Sequence, residues 1–322
     1  MLKKPSRKGS TINKGVSAAL ASAFFLGLAP VFGKQAINSG LHPLATVMLR
    51  TIIAATLLLV VLWVRGRQFL YIYPAGLLGC LLAGGINGLG SLLFYGALGR
   101  IDASMGQLLY SLYPIFVVLW MLFDSERPTL LTLIRLSLIF PALYLLTLTD
   151  HHEVDLLGVV MMLAASALYA LHLPINQRVL YDMPAPTVTF YTLVAMSLVV
   201  APVFFFSGVS FFPAINVAWK AILGLSMVTF FSRLTLFMGV KHLGGVQTAL
   251  LGLAELLVTL FFSHIWLKES LTLPQWLGAI FLFVSLSLIV FEKSPNKPDR
   301  LKGGWLAWLH PPKLTRNLPW SR

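Results

Sequence analysis

The chain has 322 residues, 57% hydrophobic and only 11% charged, with 24 Lys and Arg against 11 Asp and Glu for a net charge of +13. Soluble domains carry about a quarter charged residues, so this chain has too little charge to cover a water-facing surface, and its hydrophobicity excludes disorder. The single cysteine, Cys80, rules out an intrachain disulfide and a thiolate metal site. The basic excess lies mostly in residues 1–14 and 293–322, which argues for tails flanking a membrane body and against a nucleic-acid-binding face.

A bilayer core about 30 Å thick takes about 20 apolar residues per helix, and every backbone polar group in lipid must be satisfied within the helix. In chain order the apolar windows fall at 15–33, 44–64, 74–98, 103–123, 130–148, 156–176, 187–206, 218–240, 244–266 and 274–291. They predict an all-α polytopic membrane protein with ten transmembrane helices. Span 1 follows basic residues and passes the small triplet Ala21-Ser22-Ala23, but it stays apolar to Phe32, as an uncleaved span does. Spans 3 and 4 are separated only by Gly99-Arg100-Ile101-Asp102, and spans 8 and 9 only by Lys241-His242-Leu243, so each pair is a tight hairpin. Span 5, with Arg135 and Pro141, is the weakest window. The excess of Lys and Arg in the tails and in alternate loops places both termini in the cytoplasm and the chain in the cell membrane.

The two halves repeat. Gly15 and Gly158, Pro43 and Pro186, Phe94 and Phe237, Gly96 and Gly239, and Glu126 and Glu269 are each 143 residues apart. Five spans per unit is an odd number, so the second unit enters the membrane from the opposite side. The fold expected is two inverted five-helix repeats, an arrangement that in secondary transporters puts the binding site near the midplane between the repeats. The divisions are a basic tail at 1–13, a first unit at 14–148, a joining loop at 149–155, a second unit at 156–291, and a basic, Trp-containing tail at 292–322.

Phe32-Gly33-Lys34 at the end of span 1, Pro43 and Leu49-Arg50 in span 2, and Phe94-Tyr95-Gly96-Ala97-Leu98 ending span 3 form an ordered series. Tyr113-Pro114 with Glu126 continues it in span 4, and Glu255 with Lys268-Glu269 repeats that last pattern in the second unit. On these features residues 14–291 resemble the drug/metabolite transporter superfamily, in its EamA-like branch. The resemblance implies transport of a small metabolite such as an amino acid, a nucleobase or a drug-like amphipath. It also implies that spans 5 and 10 are peripheral. The family often carries Pro directly after the Glu of span 9. This chain has Leu256 there, so the resemblance transfers no proline kink to that place.

An ionisable side chain deep in a bilayer costs roughly 2.5–3.5 kcal/mol on insertion scales, so each one needs a reason. Glu255 in span 9 and Arg233 in span 8 sit at similar depth on one hairpin, as a substrate or proton site or as an ion pair locking the hairpin. Gln107, Tyr110 and Tyr113 surround the middle of span 4, where Pro114 lacks an N–H and deprives the Tyr110 carbonyl of its helical partner. Pro30 and Pro174 do the same in spans 1 and 6, which makes Pro30, Pro114 and Pro174 candidate gating kinks. Tyr95 and His172 complete the candidate set. Lys34 and Arg50, near the outer ends of their spans, read as anchors reaching toward the headgroups. Rows of small residues at Ala19, Ala23 and Gly27, at Gly84 and Gly88, and at Gly244, Thr248 and Gly252 read as helix-packing faces.

His151-His152-Glu153 lacks the helical spacing of a zinc site, so neither a metal nor another cofactor is expected. No hydrolase or metalloprotease motif is present. The reading is a secondary transporter, possible proton coupling included, and not an enzyme; a polytopic membrane enzyme or a sensor is the alternative. The partners expected are a small-molecule substrate and the bilayer, with anionic lipid at the basic tails and no nucleic acid. The sequence leaves monomer and homodimer open. Trp305, Leu306, Trp308 and Leu309 are spaced to give the last tail one apolar stripe on the membrane face.

Overall fold

The computed structural model describes residues 7–123, 128–147, 155–209, 216–267, 273–288, 305–306 and 308–309. All regular structure among them is helical: α1 (Arg7–Asn38), α2 (Pro43–Arg65), α3 (Pro74–Leu98), α4 (Ala103–Tyr110), α5 (Tyr113–Phe123) and α6 (Leu130–Thr147). The second half supplies α7 (Leu156–Leu180), α8 (Ala185–Phe206), α9 (Asn216–Leu243), α10 (Gly245–Gly252), α11 (Ala254–Phe262) and α12 (Leu273–Ser287). A short 3₁₀ turn, Arg67–Leu70, follows α2, and a π-helical turn, Ser263–Leu267, follows α11.

Seven helical stretches among the described residues are long and apolar enough to cross a membrane: 13–38, 43–65, 74–98, 156–180, 185–206, 218–243 and 245–266. The ten windows read from the sequence exceed that number for a structural reason. Window 4 is divided between α4 and α5, of 8 and 11 residues. Window 5 is α6, with Pro141 inside it, and window 10 forms the 15-residue α12. Helix length therefore supports seven spans, the last of them running through α10, α11 and the π turn, and leaves three windows as shorter helical pieces.

The two halves pack reciprocally. The first helix of one unit lies on the third of the other, α1 against α9 and α3 against α7, while the second helices, α2 and α8, lie against each other. α6 and α12 pack chiefly on one another, off this central group. Lipid tails are as apolar as the side chains, so association of such helices depends on close backbone approach. The small-residue rows supply it. A Cβ on Gly27 would stand 2.5 Å from the Glu255 carbonyl oxygen and 2.6 Å from Val258, and one on Gly84 would stand 2.5 Å from both Ala195 and the Thr192 carbonyl oxygen. Gly27 thus sets α1 on α11, and Gly84 sets α3 on α8.

The α9–α10 hairpin turns on Gly244, whose φ of +93° suits only glycine. Gly245 then donates its N–H to the side chain of Gln177 on α7 at 2.6 Å. Lys34 does not reach outward as an anchor. Its ammonium donates to the Leu98 and Ile101 carbonyls at 2.9 Å each, capping the end of α3. At the opposite end of α3, Leu306 and Leu309 of the C-terminal segment are buried with Ala83 and Ile175, while Trp305 and Trp308 are exposed.

Candidate functional site

Two helix breaks shape the centre of the molecule. At Tyr113-Pro114 the missing proline N–H releases the carbonyl of Tyr110, and Ser166 on α7 donates its hydroxyl to that oxygen at 2.9 Å. The chain restarts as α5 through a tighter bond from the Ile115 N–H to the Leu112 carbonyl. α10 and α11 are separated in the same way at Leu253, with the Leu256 N–H on the Leu253 carbonyl at 3.1 Å. No proline is needed there. Tyr113 crosses from α5 and donates its hydroxyl to the Ala249 carbonyl at 3.0 Å, taking an oxygen that a continuous helix would bond to Leu253. Gly252 makes room for it: a Cβ at that position would lie 2.0 Å from the Tyr113 hydroxyl oxygen.

Beside the breaks is a cavity of about 40 Å³, room for about three waters. Arg50, Asn87, Ser91, Tyr95, Gln107 and Tyr110 reach it from the first half, and Arg233 and Glu255 from the second. Pro30, inside α1, also lines it. At 1.5 Å per residue, Glu255 lies about 15 Å from the start of α10, and Arg233 about 15 Å from the end of α9. Asn87 falls near the middle of α3, so the site lies at mid-length of these helices.

Both guanidiniums are buried, at 5% exposure each, and Glu255 at 1%. Arg50 donates to Ser91 at 3.1 Å and to Thr229 at 3.3 Å, and its guanidinium lies 4.6 Å from the centre of the Tyr95 ring. Arg233 donates to Asn87 at 3.4 Å and lies 5.4 Å from the centre of the Tyr169 ring. Asn87 and Ser91 are one turn apart on α3, so a single helix face holds two cations brought from opposite halves. Glu255 has Gln107 and Arg233 as polar neighbours, and its Oε1 atom accepts no hydrogen bond. Among the described residues the ion pair within 4 Å is Arg100–Asp155, at the surface, so Glu255 and Arg233 share the cavity without forming one.

The remaining predicted residues lie one layer away. Tyr110 of the cavity wall joins that layer, meeting Phe94 edge to face and Tyr113 and Tyr169 at a tilt, with ring centres 4.9, 5.8 and 5.2 Å apart. Tyr113 holds the α10 break. His172 is wholly buried beside Tyr169, with Nδ1 on that residue's own carbonyl and Nε2 unpartnered. Pro174 is inside α7, which continues past it to Leu180. Glu126, Lys268, Glu269, His151, His152 and Glu153 lie outside the described residues, as do the basic residues of the C-terminal tail.

Sequence reasoning missed Arg50, Asn87, Ser91 and Thr229. Arg50 is seven residues inside α2, about 10 Å below its start, and that depth was the available signal. Asn87 stands at the centre of an otherwise apolar span, hidden beside a glycine cluster.

The fold and this cavity define a multi-pass helical membrane protein of two units with a charged central site. Residues 13–148 and 156–291 each match the model of the EamA-like transporter family. The chain belongs to that family. No curated protein matches the sequence. A solved crystal structure of another protein superposes with a TM-score of 0.67 at 15% identity, over 87% of this chain and 97% of that one, a likeness of fold alone.

Proposed function

We propose that this protein is a secondary transporter moving a small metabolite across the cytoplasmic membrane by alternating access. In this reading ten spans form two inverted units, both termini are cytoplasmic, and the basic tails meet anionic lipid. The observation that carries the reading is the central cavity, lined by buried charged groups from both halves, several of them with unpartnered polar atoms. Burying such groups without partners is costly, and a transported polar solute would supply the partners. The reciprocal packing of α1 on α9 and α3 on α7 supports units related by a twofold axis, as in transporters built on inverted repeats. A cavity of about 40 Å³ is too small for a metabolite, so loading requires the two halves to separate on one side at a time. The broken helices, and the prolines inside α1 and α7, Pro30 and Pro174, are the places for that movement. Glu255 is the group for substrate contact or proton coupling.

The test is uptake and counterflow in liposomes with a panel of amino acids, nucleobases and organic acids, with and without a pH gradient. Glu255→Gln should insert normally and transport at least tenfold more slowly. Wild-type transport by that variant at equal abundance removes Glu255 from the site. No flux of any solute in the panel, with folded protein in the liposomes, refutes the transporter reading.

A further inference from the structure

We propose that the central site takes a small organic monocarboxylate whose remainder is apolar or aromatic. The proposal rests on the reading of this cavity as the substrate site and adds the chemical class. Two arginines and one carboxyl group face the cavity: Arg50, Arg233 and Glu255. With Glu255 ionised their sum is +1, and with Glu255 protonated it is +2. In both states the site lacks negative charge. Isolated charge is costly in a low-dielectric interior, and a bound ion of opposite sign removes the cost. A monoanion brings the ionised site to zero. A cationic substrate would raise it to +2, and a dianion would leave it at −1. With Glu255 protonated a monoanion lowers the sum to +1, a dianion to zero, and a cation raises it to +3.

The hydrogen-bonding inventory points the same way. Arg50 Nε, Arg233 Nε and Nη1, and Gln107 Nε2 are buried donors without acceptors, against the Glu255 Oε1 carboxylate oxygen and the Tyr95 hydroxyl, which can donate as well as accept. Guanidinium and amide N–H groups can only donate. The excess therefore calls for acceptors, and a carboxylate brings two oxygens with several lone pairs. Ser91, Thr229 and Asn87 accept from the other guanidinium nitrogens, so both cations are held in place before any ligand arrives. The rest of the wall includes Leu26, Ala29 and Phe94. These side chains offer no hydrogen bond, and they suit the apolar part of the ligand.

Matched sets of one size separate the possibilities: benzoate, benzamide and benzylamine, and butyrate, butyramide and butylamine. Binding to the full-length protein in detergent is followed by calorimetry and by the shift of the thermal transition. At least one carboxylate should bind ten times or more tighter than its amide, and the amines more weakly still. In Arg50→Gln and Arg233→Gln the ratio of carboxylate to amide should fall below about three. If these variants do not insert, the ratio in the unaltered protein decides alone. Equal affinity for amide and carboxylate, tighter binding of an amine, or no binding by either carboxylate overturns the proposal. Carboxylate binding without uptake into liposomes refutes transport and leaves the anion site standing. Uptake of a neutral or cationic solute without carboxylate preference does the reverse.

Discussion

The break between α10 and α11 is held by one hydroxyl in one gap, and that makes it open to a double-mutant test. In Gly252→Ala the new Cβ would stand 2.0 Å from the Tyr113 hydroxyl oxygen, 3.3 Å from Cζ and 4.0 Å from Cε2. The first distance is impossible, so Tyr113 must move and its bond to the Ala249 carbonyl is lost. Overpacking costs about 1–3 kcal/mol. A lost interhelical hydrogen bond in a membrane protein adds about 0.6 kcal/mol, with a measured ceiling near 1.7. Gly252→Ala should therefore destabilise by about 2–4 kcal/mol. Tyr113→Phe alone loses only the bond, about 0.6–1.7 kcal/mol. In the double variant the offending oxygen is gone and the closest remaining atom is 3.3 Å away, a contact relieved by a shift of a few tenths of an ångström. The double variant should then be more stable than Gly252→Ala alone. The assay is reversible unfolding in mixed micelles, with the coupling energy taken from the four-protein cycle. Additive losses within about 0.5 kcal/mol would mean that Tyr113 and Gly252 do not share this space.

Two further outcomes test the surface. Asp155 caps α7 through the Leu157 and Gly158 N–H groups and pairs with Arg100 at 3.0 Å. The Arg100 hydrogen bond, and after it the Gly158 N–H, holds its carboxyl below the usual value. A lowered carboxyl contributes stability above its unfolded pKa and loses it as pH falls through the folded one. Melts between about pH 3 and pH 7 should show a small acid loss that shrinks in Arg100→Gln and in high salt, because the pair is solvent-accessible; an unchanged acid limb in Arg100→Gln refutes the pairing. At the other end of α3, Leu309→Asp should release the C-terminal segment, seen as at least tenfold faster trypsin cleavage after residue 291 in vesicles. Cleavage at the wild-type rate would mean that the burial of Leu306 and Leu309 against Ala83 and Ile175 does not hold the tail.

The membrane class and the two-unit plan were legible because they depend on composition and on spacing along the chain. Apolar windows of about 20 residues report helices whatever those helices pack against. The Pro114 break was legible for a similar local reason, since a missing N–H is a property of one residue. The α10–α11 break was not. Its cause is a hydroxyl from a distant segment capturing the Ala249 carbonyl, and Leu256, where proline was looked for, gives no hint of it. A backbone oxygen in lipid keeps its helical partner unless another donor is supplied, so such a break is written in the residue that supplies the donor.

The two basic residues read as anchors show the same limit from the side of charge. Lys34 and Arg50 have equal claims to a headgroup position when only their distance from a span end is known. Lys34 instead caps α3, because the carbonyls of Leu98 and Ile101 come within 2.9 Å of its ammonium. Arg50 is drawn inward because α3 presents Ser91 and α9 presents Thr229 at the level of its guanidinium. Neither acceptor is unusual alone, since a serine or threonine in a membrane helix commonly bonds its own backbone. Thr229 does that too, donating to Leu225 at 2.8 Å while accepting from Arg50. Hydroxyls that satisfy themselves as donors keep their oxygens free for an arginine, so a buried cation can be seated without a carboxylate beside it. That leaves Glu255 uncommitted to either guanidinium, and a site assembled in this way keeps a net positive charge.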